Sequence, residues 1–250
     1  MVNESRISAT AKIYENVNLG ENVSIAEYAI IYPNVKIGAS TFIGPYCIIG
    51  EPVMNYYNNP EHVFASTNIG KDSVIRSHSV IYEDVFIGDG FQTGHHVTIR
   101  EKTKIGCNCS VGTLSDLQGY LKIGDYVRLH SNVHIGRLTT IEDYVWIYPY
   151  VVTTNDPLPP MGDLAGCTIR KFAQIATGAI LLPGLEIGEN SLVGAGTIVT
   201  KNVPAYSVCV GVPGKIKGSV TDIKDKNGNE VYPWKEHLTK YRGYPWQKDN

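Results

Sequence analysis

Three histidines and an arginine recur in register and carry the clearest acid–base chemistry in this sequence. His95 and His96 stand 18 residues after Ser77 and His78, and Arg76 comes immediately before the earlier pair. An imidazole has a reference pKa of about 6.5, so near neutral pH it can accept or donate a proton. If residues 18 apart are neighbours in the fold, the spacing predicts a general base at His95 or His96, with Arg76 and His78 beside it to bind substrate.

A six-residue repeat supplies the elements that would bring these residues together. Every sixth residue is Ile, Leu or Val, with Thr93 as the one exception, over the ranges 7–49, 69–147 and 169–199. A small or β-branched residue follows four positions later in most repeats. Two inward positions and one bend per six residues describe a short strand and a corner. Three such units close a triangular coil of 18 residues, and each coil must stack on the next to bury its apolar face.

This pattern resembles the hexapeptide-repeat acyltransferases over about residues 7–216. The resemblance implies an all-β fold, a left-handed parallel β-helix, and the hand of the winding comes from the resemblance alone. We expect about nine to ten triangular coils within residues 1–216, interrupted by loop insertions at 55–68 and 153–168. Cys47, Cys109 and Cys209 fall on the small inward position and are predicted to be core residues.

Residues 217–250 are expected to form a small hairpin and helix cap. Asn227 and Gly228 lie between alternating segments, which is a hairpin signal, and residues 233–241 have the spacing of a short amphipathic helix. A cap of this kind covers strand edges that would otherwise be unpaired at the end of the prism.

Composition excludes several classes of function. Lys and Arg total 22 against 24 Asp and Glu, for a net charge of −2, which argues against a grip on nucleic acid or a polybasic membrane patch. No apolar stretch approaches the length of a transmembrane helix, and the N-terminus does not resemble a signal peptide. The odd number of cysteines, 5, suits a reducing compartment, so we expect a cytoplasmic protein.

The two loops break an otherwise regular pattern, and such loops often carry function. Tyr56, Tyr57 and Asn58 offer stacking faces and amide groups suited to a nucleotide base. Asn155 lies in a Thr-Asn-Asp segment that resembles the long loop of nucleotide-sugar acetyltransferases. The alternative is that each loop only covers the surface of the helix.

The resemblance implies transfer of an acyl group from a CoA thioester to an amine or hydroxyl. Family members that use a catalytic histidine carry it two residues after the inward aliphatic, where His95 stands. His96 occupies the place of the usual acidic partner, so Glu101, with Glu83 stacked 18 residues earlier, is a replacement candidate. The alternatives are that these histidines only position substrate or have no role.

The cofactor is expected at the later coils. Ala176 and Ala195 belong to a surface stripped of bulk, against which a pantetheine arm could lie, and Arg170, Lys171 and Lys201 provide cations for CoA phosphates. The predicted co-substrate is acetyl-CoA or another acyl-CoA.

The leading hypothesis is a CoA-dependent N-acyltransferase acting on a dTDP- or UDP-linked 3-amino or 4-amino deoxysugar in surface polysaccharide biosynthesis. The resemblance implies a homotrimer with active sites between subunits. Nothing in the composition calls for a metal, and none is predicted. Three alternatives remain open: an acyltransferase with a non-sugar acceptor, a scaffold without activity, and a metalloenzyme similar to the γ-type carbonic anhydrases. The metalloenzyme would use His130, His134 and either His95 or His96.

Overall fold

The computed structural model describes residues 6–160 and 162–231, which form a β-solenoid with three parallel faces. Each six-residue unit contributes a strand of two to four residues whose aliphatic side chain points inward, and the small residue four positions later also lies inside. The corner between them is made by a residue with positive φ, as at Tyr46, His78 and His96. The predicted parallel β-helix with triangular coils is confirmed.

Face A contains twelve strands, of which the first eleven run parallel. They are β1 (Arg6–Ile7), β4 (Ser24–Ile25), β7 (Phe42–Ile43), β10 (Val74–Ile75), β13 (Gln92–Thr93), β16 (Ser110–Val111), β19 (Arg128–Leu129), β22 (Trp146–Ile147), β25 (Gln174–Ile175), β28 (Leu192–Val193), β30 (Ser207–Val210) and the antiparallel β31 (Lys215–Ser219).

Face B follows face A along every coil and contains ten strands. They are β2 (Lys12–Ile13), β5 (Ile30–Ile31), β8 (Ile48–Glu51), β11 (Val80–Tyr82), β14 (Thr98–Ile99), β17 (Asp116–Leu117), β20 (His134–Ile135), β23 (Val152–Thr153), β26 (Ile180–Leu181) and β29 (Ile198–Val199).

Face C closes each coil and contains nine strands. They are β3 (Asn18–Leu19), β6 (Val35–Ile37), β9 (Thr67–Ile69), β12 (Val85–Ile87), β15 (Thr103–Ile105), β18 (Lys122–Ile123), β21 (Thr140–Ile141), β24 (Thr168–Ile169) and β27 (Glu186–Ile187).

The solenoid has about eleven turns, rather than the nine to ten expected. Strand partners along a regular face are 18 residues apart, but Ile187 bridges to Val203 and Val193 pairs with Cys209, which is 16 residues. The coil therefore loses two residues after Val199, and a search in steps of six misses the final strand on face A.

The core is one continuous cluster along the axis of the prism, built from the inward residues of all three faces. Cys47, Cys109 and Cys209 belong to it, as predicted, and Cys167 joins them. All five cysteines are free thiols. No helix within the described ranges is long and apolar enough to span a membrane.

Both loops leave the solenoid at the corner between faces B and C. The first runs from the end of β8 at residue 51 to the start of β9 at residue 67 and contains the one-turn helix α1 (Asn55–Asn58). The second runs between β23 and β24, over residues 154–167. Thr153, counted at sequence level as the start of this loop, is still part of the ladder and pairs with Leu181.

The end of the solenoid is covered by β31, which runs antiparallel to β30 and is followed by a 3-10 helix at Val220–Asp222. An antiparallel bridge joins Lys224 to Glu230 across the Asn227–Gly228 turn, at the position of the predicted hairpin. The helix expected at 233–241 lies outside the described residues. The division at residue 216 stays a prediction.

Candidate active site

A ladder of stacked rings lies along the corner between faces A and B. The ring centroids of His78 and His96 are 4.6 Å apart, and those of Tyr46 and His78 are 5.0 Å apart. Residues 18 apart, or 32 apart where the first loop intervenes, are therefore neighbours on this corner. The structure brings together His78, His95 and His96, as the spacing predicts.

His95 is exposed at this corner and its ring is held by a hydroxyl. Its Nδ1 lies 2.8 Å from Ser77 Oγ, and its backbone N–H donates to Thr113 Oγ1 at 3.2 Å. The tautomer that donates from Nδ1 to Ser77 leaves Nε2 as a proton acceptor. A hydroxyl thus takes the orienting role that an acidic residue was expected to fill.

Thr93, the exception in the aliphatic ladder, changes the hydrogen bonding of the backbone beside His95. Its Oγ1 accepts the backbone N–H of Arg76 at 2.8 Å, a bond that the carbonyl of the corresponding residue accepts on neighbouring coils. The carbonyl of Thr93 instead accepts a hydrogen bond from Nη1 of the Arg76 side chain. The threonine therefore fixes the guanidinium of Arg76 on face A.

Face A contains a cavity of about 210 Å³ next to this corner. Its floor is formed by small residues, Gly94, Ser110 and Gly112, and Arg76 lies at one end. The other residues that line it are Gln92, Thr93, Val111, Arg128, Leu129, His130 and Ser131.

The far end of the cavity is formed by His130, which belongs to an aromatic wall with Trp146 and Tyr148 behind it. His130 stacks on Tyr148 with centroids 5.0 Å apart and on Trp146 at 5.7 Å. Trp146 Nε1–H donates to His130 Nε2, so the neutral ring carries its proton on Nδ1. Burial, and then the neighbouring Arg128, lower the pKa of His130, which keeps the ring uncharged. His130 is thus a fixed hydrogen-bond donor and not a base.

Tyr56, Tyr57 and Asn58 do not lie at the histidine corner. They are exposed on α1, at the opposite edge of face B. Tyr56 contacts Phe64 within the same loop, with centroids 5.6 Å apart, and Tyr57 donates to Glu51 at 3.2 Å. Within one chain these residues are not part of the site around His95.

The two carboxylates considered as partners of His95 are engaged elsewhere. Glu83 is buried and accepts the backbone N–H groups of Val53 at 2.9 Å and Ala65 at 2.7 Å, and it contacts His62 Nε2 at 2.9 Å. Glu101 is also buried and pairs with the adjacent Arg100 at 3.1 Å. Both lie at the corner between faces B and C, so the structure does not bring Glu101 to His95 within the chain.

Comparison with known proteins agrees with the repeat and the fold described above. Residues 16–51 match the family model described as bacterial transferase hexapeptide (six repeats). Residues 16–51 therefore carry the hexapeptide repeat found in bacterial transferases. A crystal structure of Arabidopsis UDP-N-acetylglucosamine acyltransferase shares the fold, with a TM-score of 0.69 and 20% identity over 85% of this chain and 74% of that one.

Curated relatives of this hexapeptide-repeat chain include both O- and N-acetyltransferases. Galactoside O-acetyltransferase of Escherichia coli K12 is 35% identical over 41% of this chain and 61% of its own length. A serine acetyltransferase of Buchnera aphidicola is 35% identical over 46% of this chain and 43% of its own. The dTDP-3-amino-3,6-dideoxy-alpha-D-galactopyranose 3-N-acetyltransferase of Aneurinibacillus thermoaerophilus is 38% identical over 23% of this chain and 30% of its own length. The chain thus spans less than two thirds of these relatives.

The residues expected to bind cofactor lie in the later coils of the hexapeptide-repeat fold, but on different faces. Ala176 is half-buried on face A, and Ala195 is exposed at the next corner. Arg170 lies on face C, 2.8 Å from Glu142 and 3.0 Å from Glu186, and these bonds raise its pKa. Lys171 pairs with Asp143 at 3.2 Å.

Asn155 and Lys201 complete the cofactor prediction. The carbonyl of Asn155 accepts the N–H of Ala165 at 2.8 Å and so closes the second loop, and Lys201 is exposed beyond β29. Because Arg170 and Lys171 are already paired with carboxylates, less of their positive charge is available to a CoA phosphate.

Sequence reasoning missed the pair formed by Asp116 and His134 on face B. His134 Nδ1 lies 3.2 Å from Asp116 Oδ2. The hydrogen bonds from His134 and Gln118 lower the pKa of Asp116. The signal was available, since the two residues are 18 apart. Sequence reasoning also missed the aromatic wall. Trp146 and His130 are 16 residues apart, not 18, and their side chains meet from two different outward positions of face A.

Proposed function

We propose that this protein is an acyltransferase that moves the acyl group of an acyl-CoA to the amino group of a nucleotide-linked amino sugar. The observation that carries the proposal is His95, oriented by Ser77 on an open corner, next to a cavity that contains arginine and imidazole side chains. A proton acceptor beside a polar cavity is the arrangement that acyl transfer to an amine requires.

In this reaction the amine nitrogen attacks the thioester carbonyl carbon and forms a tetrahedral intermediate. A proton passes from the nitrogen to Nε2 of His95 while Ser77 holds Nδ1. Collapse of the intermediate forms the amide and breaks the carbon–sulfur bond. The proton then leaves on the CoA thiol, which restores neutral His95.

The relatives support the reaction class, and two of those described above are named for a sugar acceptor. Three of them are named for acetyl transfer to a galactoside, to serine and to a dTDP-linked 3-amino sugar. We propose acetyl-CoA as the donor, a dTDP- or UDP-linked 3-amino or 4-amino deoxysugar as the acceptor, and a homotrimer as the assembly. In a trimer the loop residues Tyr56, Tyr57 and Asn58, and Glu101, could reach a neighbour's site.

Within one chain, the histidines of the metalloenzyme alternative do not lie together. His130 lies on face A against Trp146, whereas His134 lies on face B beside Asp116. No group of three or more His, Cys, Asp or Glu side chains in residues 6–160 and 162–231 is placed to hold a metal ion.

The test is thiol release from acetyl-CoA against a panel of dTDP- and UDP-linked 3-amino and 4-amino sugars. Hydroxyl-only sugars and serine are the controls. Turnover with an amino sugar alone supports the proposal, and turnover only with a hydroxyl acceptor replaces N-transfer by O-transfer. No turnover across the panel, by a protein that also fails to bind CoA, would overturn the acyltransferase assignment.

A further inference from the structure

The cavity on face A is preorganised at both ends. The guanidinium of Arg76 is fixed by the carbonyl of Thr93, and the guanidinium of Arg128 lies over the Trp146 ring, 4.8 Å from its centroid. The imidazole of His130 is fixed by Trp146. Side chains held in place before binding lose little conformational entropy when a ligand arrives, which favours affinity and specificity.

The space between these ends is long enough to hold an aromatic ring and an anion side by side along the ladder. The outward ladder of face A runs through Arg76, Gly94, Gly112, His130 and Tyr148, with one residue per coil. Two successive positions carry no side chain. At a strand spacing of about 4.8 Å, Arg76 and His130 are separated by roughly 14 Å along this ladder.

The two glycines cannot be replaced by larger residues without moving the backbone. A Cβ at Gly94 would lie 2.3 Å from the backbone N of Thr113, and one at Gly112 would lie 2.4 Å from the carbonyl carbon of His130. The ladder therefore stays open at these two positions, and the exposed face of the His130 ring borders the gap.

We propose that this cavity binds a nucleotide, with the planar base stacked on His130 and a phosphate paired with Arg76. A planar ring above Gly112 continues the stack of His130 and Tyr148 at the spacing these rings already have. Guanidinium groups match phosphate oxygens in geometry and charge.

This inference rests on the proposed function for the identity of the nucleotide. The same chemistry is present in the nucleoside diphosphate of the acceptor and in the adenosine phosphates of CoA. Since the cavity adjoins His95, a sugar attached to the bound diphosphate would reach the proposed base, so we assign the acceptor.

Calorimetric titration of the full chain with UDP, dTDP and 3′-phosphoadenosine 5′-diphosphate tests the proposal without turnover. Ser110→Leu fills the floor of the cavity from an outward strand position, and Ser24→Leu is its control at the same ladder position four coils earlier. We expect Ser110→Leu to weaken UDP or dTDP binding at least tenfold and Ser24→Leu to leave it within twofold.

The arginines are tested separately from the ring. Arg76→Gln should weaken UDP binding at least tenfold but leave the weaker binding of uridine within twofold, and Arg76→Lys should recover part of the loss. Arg128→Gln, at the opposite end of the cavity, should weaken UDP binding less than Arg76→Gln does. Arg6→Gln, on the first strand of face A, is the control for charge. Melting temperatures of all variants identify any that fail to fold. If Arg76→Gln fails to fold, the UDP affinity of Arg76→Lys is used to test the role of Arg76.

The outcomes separate this inference from the proposed function. If the cavity variants affect only 3′-phosphoadenosine 5′-diphosphate, the nucleotide site stands and its source is CoA, which overturns the acceptor assignment. If no nucleotide responds to any cavity variant, the nucleotide site is wrong even where amino-sugar turnover is observed. Nucleotide binding without turnover supports the site and counts against the reaction alone.

Discussion

Two threonines, Thr93 and Thr153, occupy the inward position that is otherwise aliphatic, and in both the hydroxyl accepts a hydrogen bond that a carbonyl accepts elsewhere. Thr93 Oγ1 accepts the N–H of Arg76 at 2.8 Å, and Thr153 Oγ1 accepts the N–H of Gly136 at 2.8 Å. Neighbouring inward hydroxyls, Ser79 and Thr139, lie 3.5 Å from them. Buried polar groups must be paired, so these exceptions form small satisfied clusters. At Thr93 the released carbonyl positions a side chain of the proposed site.

The role of His95 can be measured directly. His95→Asn should lower kcat about 100-fold or more, because the variant lacks a proton acceptor at the corner, and should leave CoA affinity nearly unchanged. Steady-state kinetics with the amino sugar, together with a CoA titration, measure both. His134→Asn, on the other face, is the matched control. Near wild-type kcat for His95→Asn would contradict its role as base.

The reactivity of the cysteines follows from their burial. Burial raises the pKa of Cys47 and Cys167 to about 11 and that of Cys109 to about 12, and it also raises the pKa of Cys209. Cys107 is only partly buried. We therefore expect a disulfide reagent to modify one thiol rapidly in the native protein and five after unfolding. Cys107→Ser should remove the fast phase, and a fast phase that persists would be inconsistent with this assignment.

Asp116 should make stability depend on pH in the acid range. Its folded pKa is held below the reference value of 3.8 by His134 and Gln118, so its contribution is present above pH 3.8 and is lost as the pH falls through the folded pKa. Since both side chains are more than a third exposed, the effect should be small. Melting temperatures of the wild type and Asp116→Asn should differ at pH 6 and converge toward pH 3. A constant difference would argue against the linkage.

At the scale of elements, the first loop is an ordered excursion fastened to the solenoid. Phe64 stacks on Tyr32, with centroids 5.6 Å apart, and Tyr32 stacks on Tyr14 at 5.2 Å. Asn34 Nδ2 donates to the carbonyl of Phe64 at 2.8 Å. Burial raises the pKa of Tyr32 to about 12. The loop therefore continues a ring ladder that begins on face B.

Glu83 is the central fastening of this loop, since its carboxylate joins both ends of the loop and His62. Glu83→Gln should weaken several charge-assisted bonds and destabilise the closed loop by about 2 kcal/mol. Limited proteolysis with chymotrypsin, which cleaves beside tyrosine and phenylalanine, should then cut the loop faster than in the wild type. The exposed Glu61→Gln in the same loop is the control. Equal cleavage rates in the two variants would show that Glu83 does not hold the loop.

At the scale of the whole molecule, the solenoid exposes apolar side chains along one edge. Tyr28, Tyr46, Leu114 and Tyr150 all lie on the corner between faces A and B, and each is at least 50% exposed. Contiguous exposed apolar residues are typical of surfaces that contact other molecules.

The proposed homotrimer predicts a solution mass about three times 27.5 kDa. Light scattering coupled to size exclusion measures it. Leu114→Lys places a charge on the apolar corner and should shift the mass toward the monomer, because burying an unpaired charge between subunits is unfavourable. Lys104→Gln, on face C, is the control. A monomeric wild type would contradict the trimer and with it a site shared between subunits.

The sequence by itself determined the coil, the core and the neighbours along each corner. A strict period of six, with inward aliphatic and small residues, leaves only a triangular stack in which positions 18 apart are adjacent, so the histidine corner followed from counting. The count failed only where two residues are missing after Val199 and where Thr153 continues the ladder.

Only the tertiary structure decided the partners of the polar side chains. The period places Glu83 and Glu101 at a corner and Arg170 on a face, but it does not show which oxygen or nitrogen each one contacts. The cavity likewise depends on contacts between ladders, such as Trp146 with His130, and on the hydroxyl of Thr93 replacing its own carbonyl. Side-chain direction and hydrogen-bond competition decide such contacts, and neither is written in a six-residue repeat.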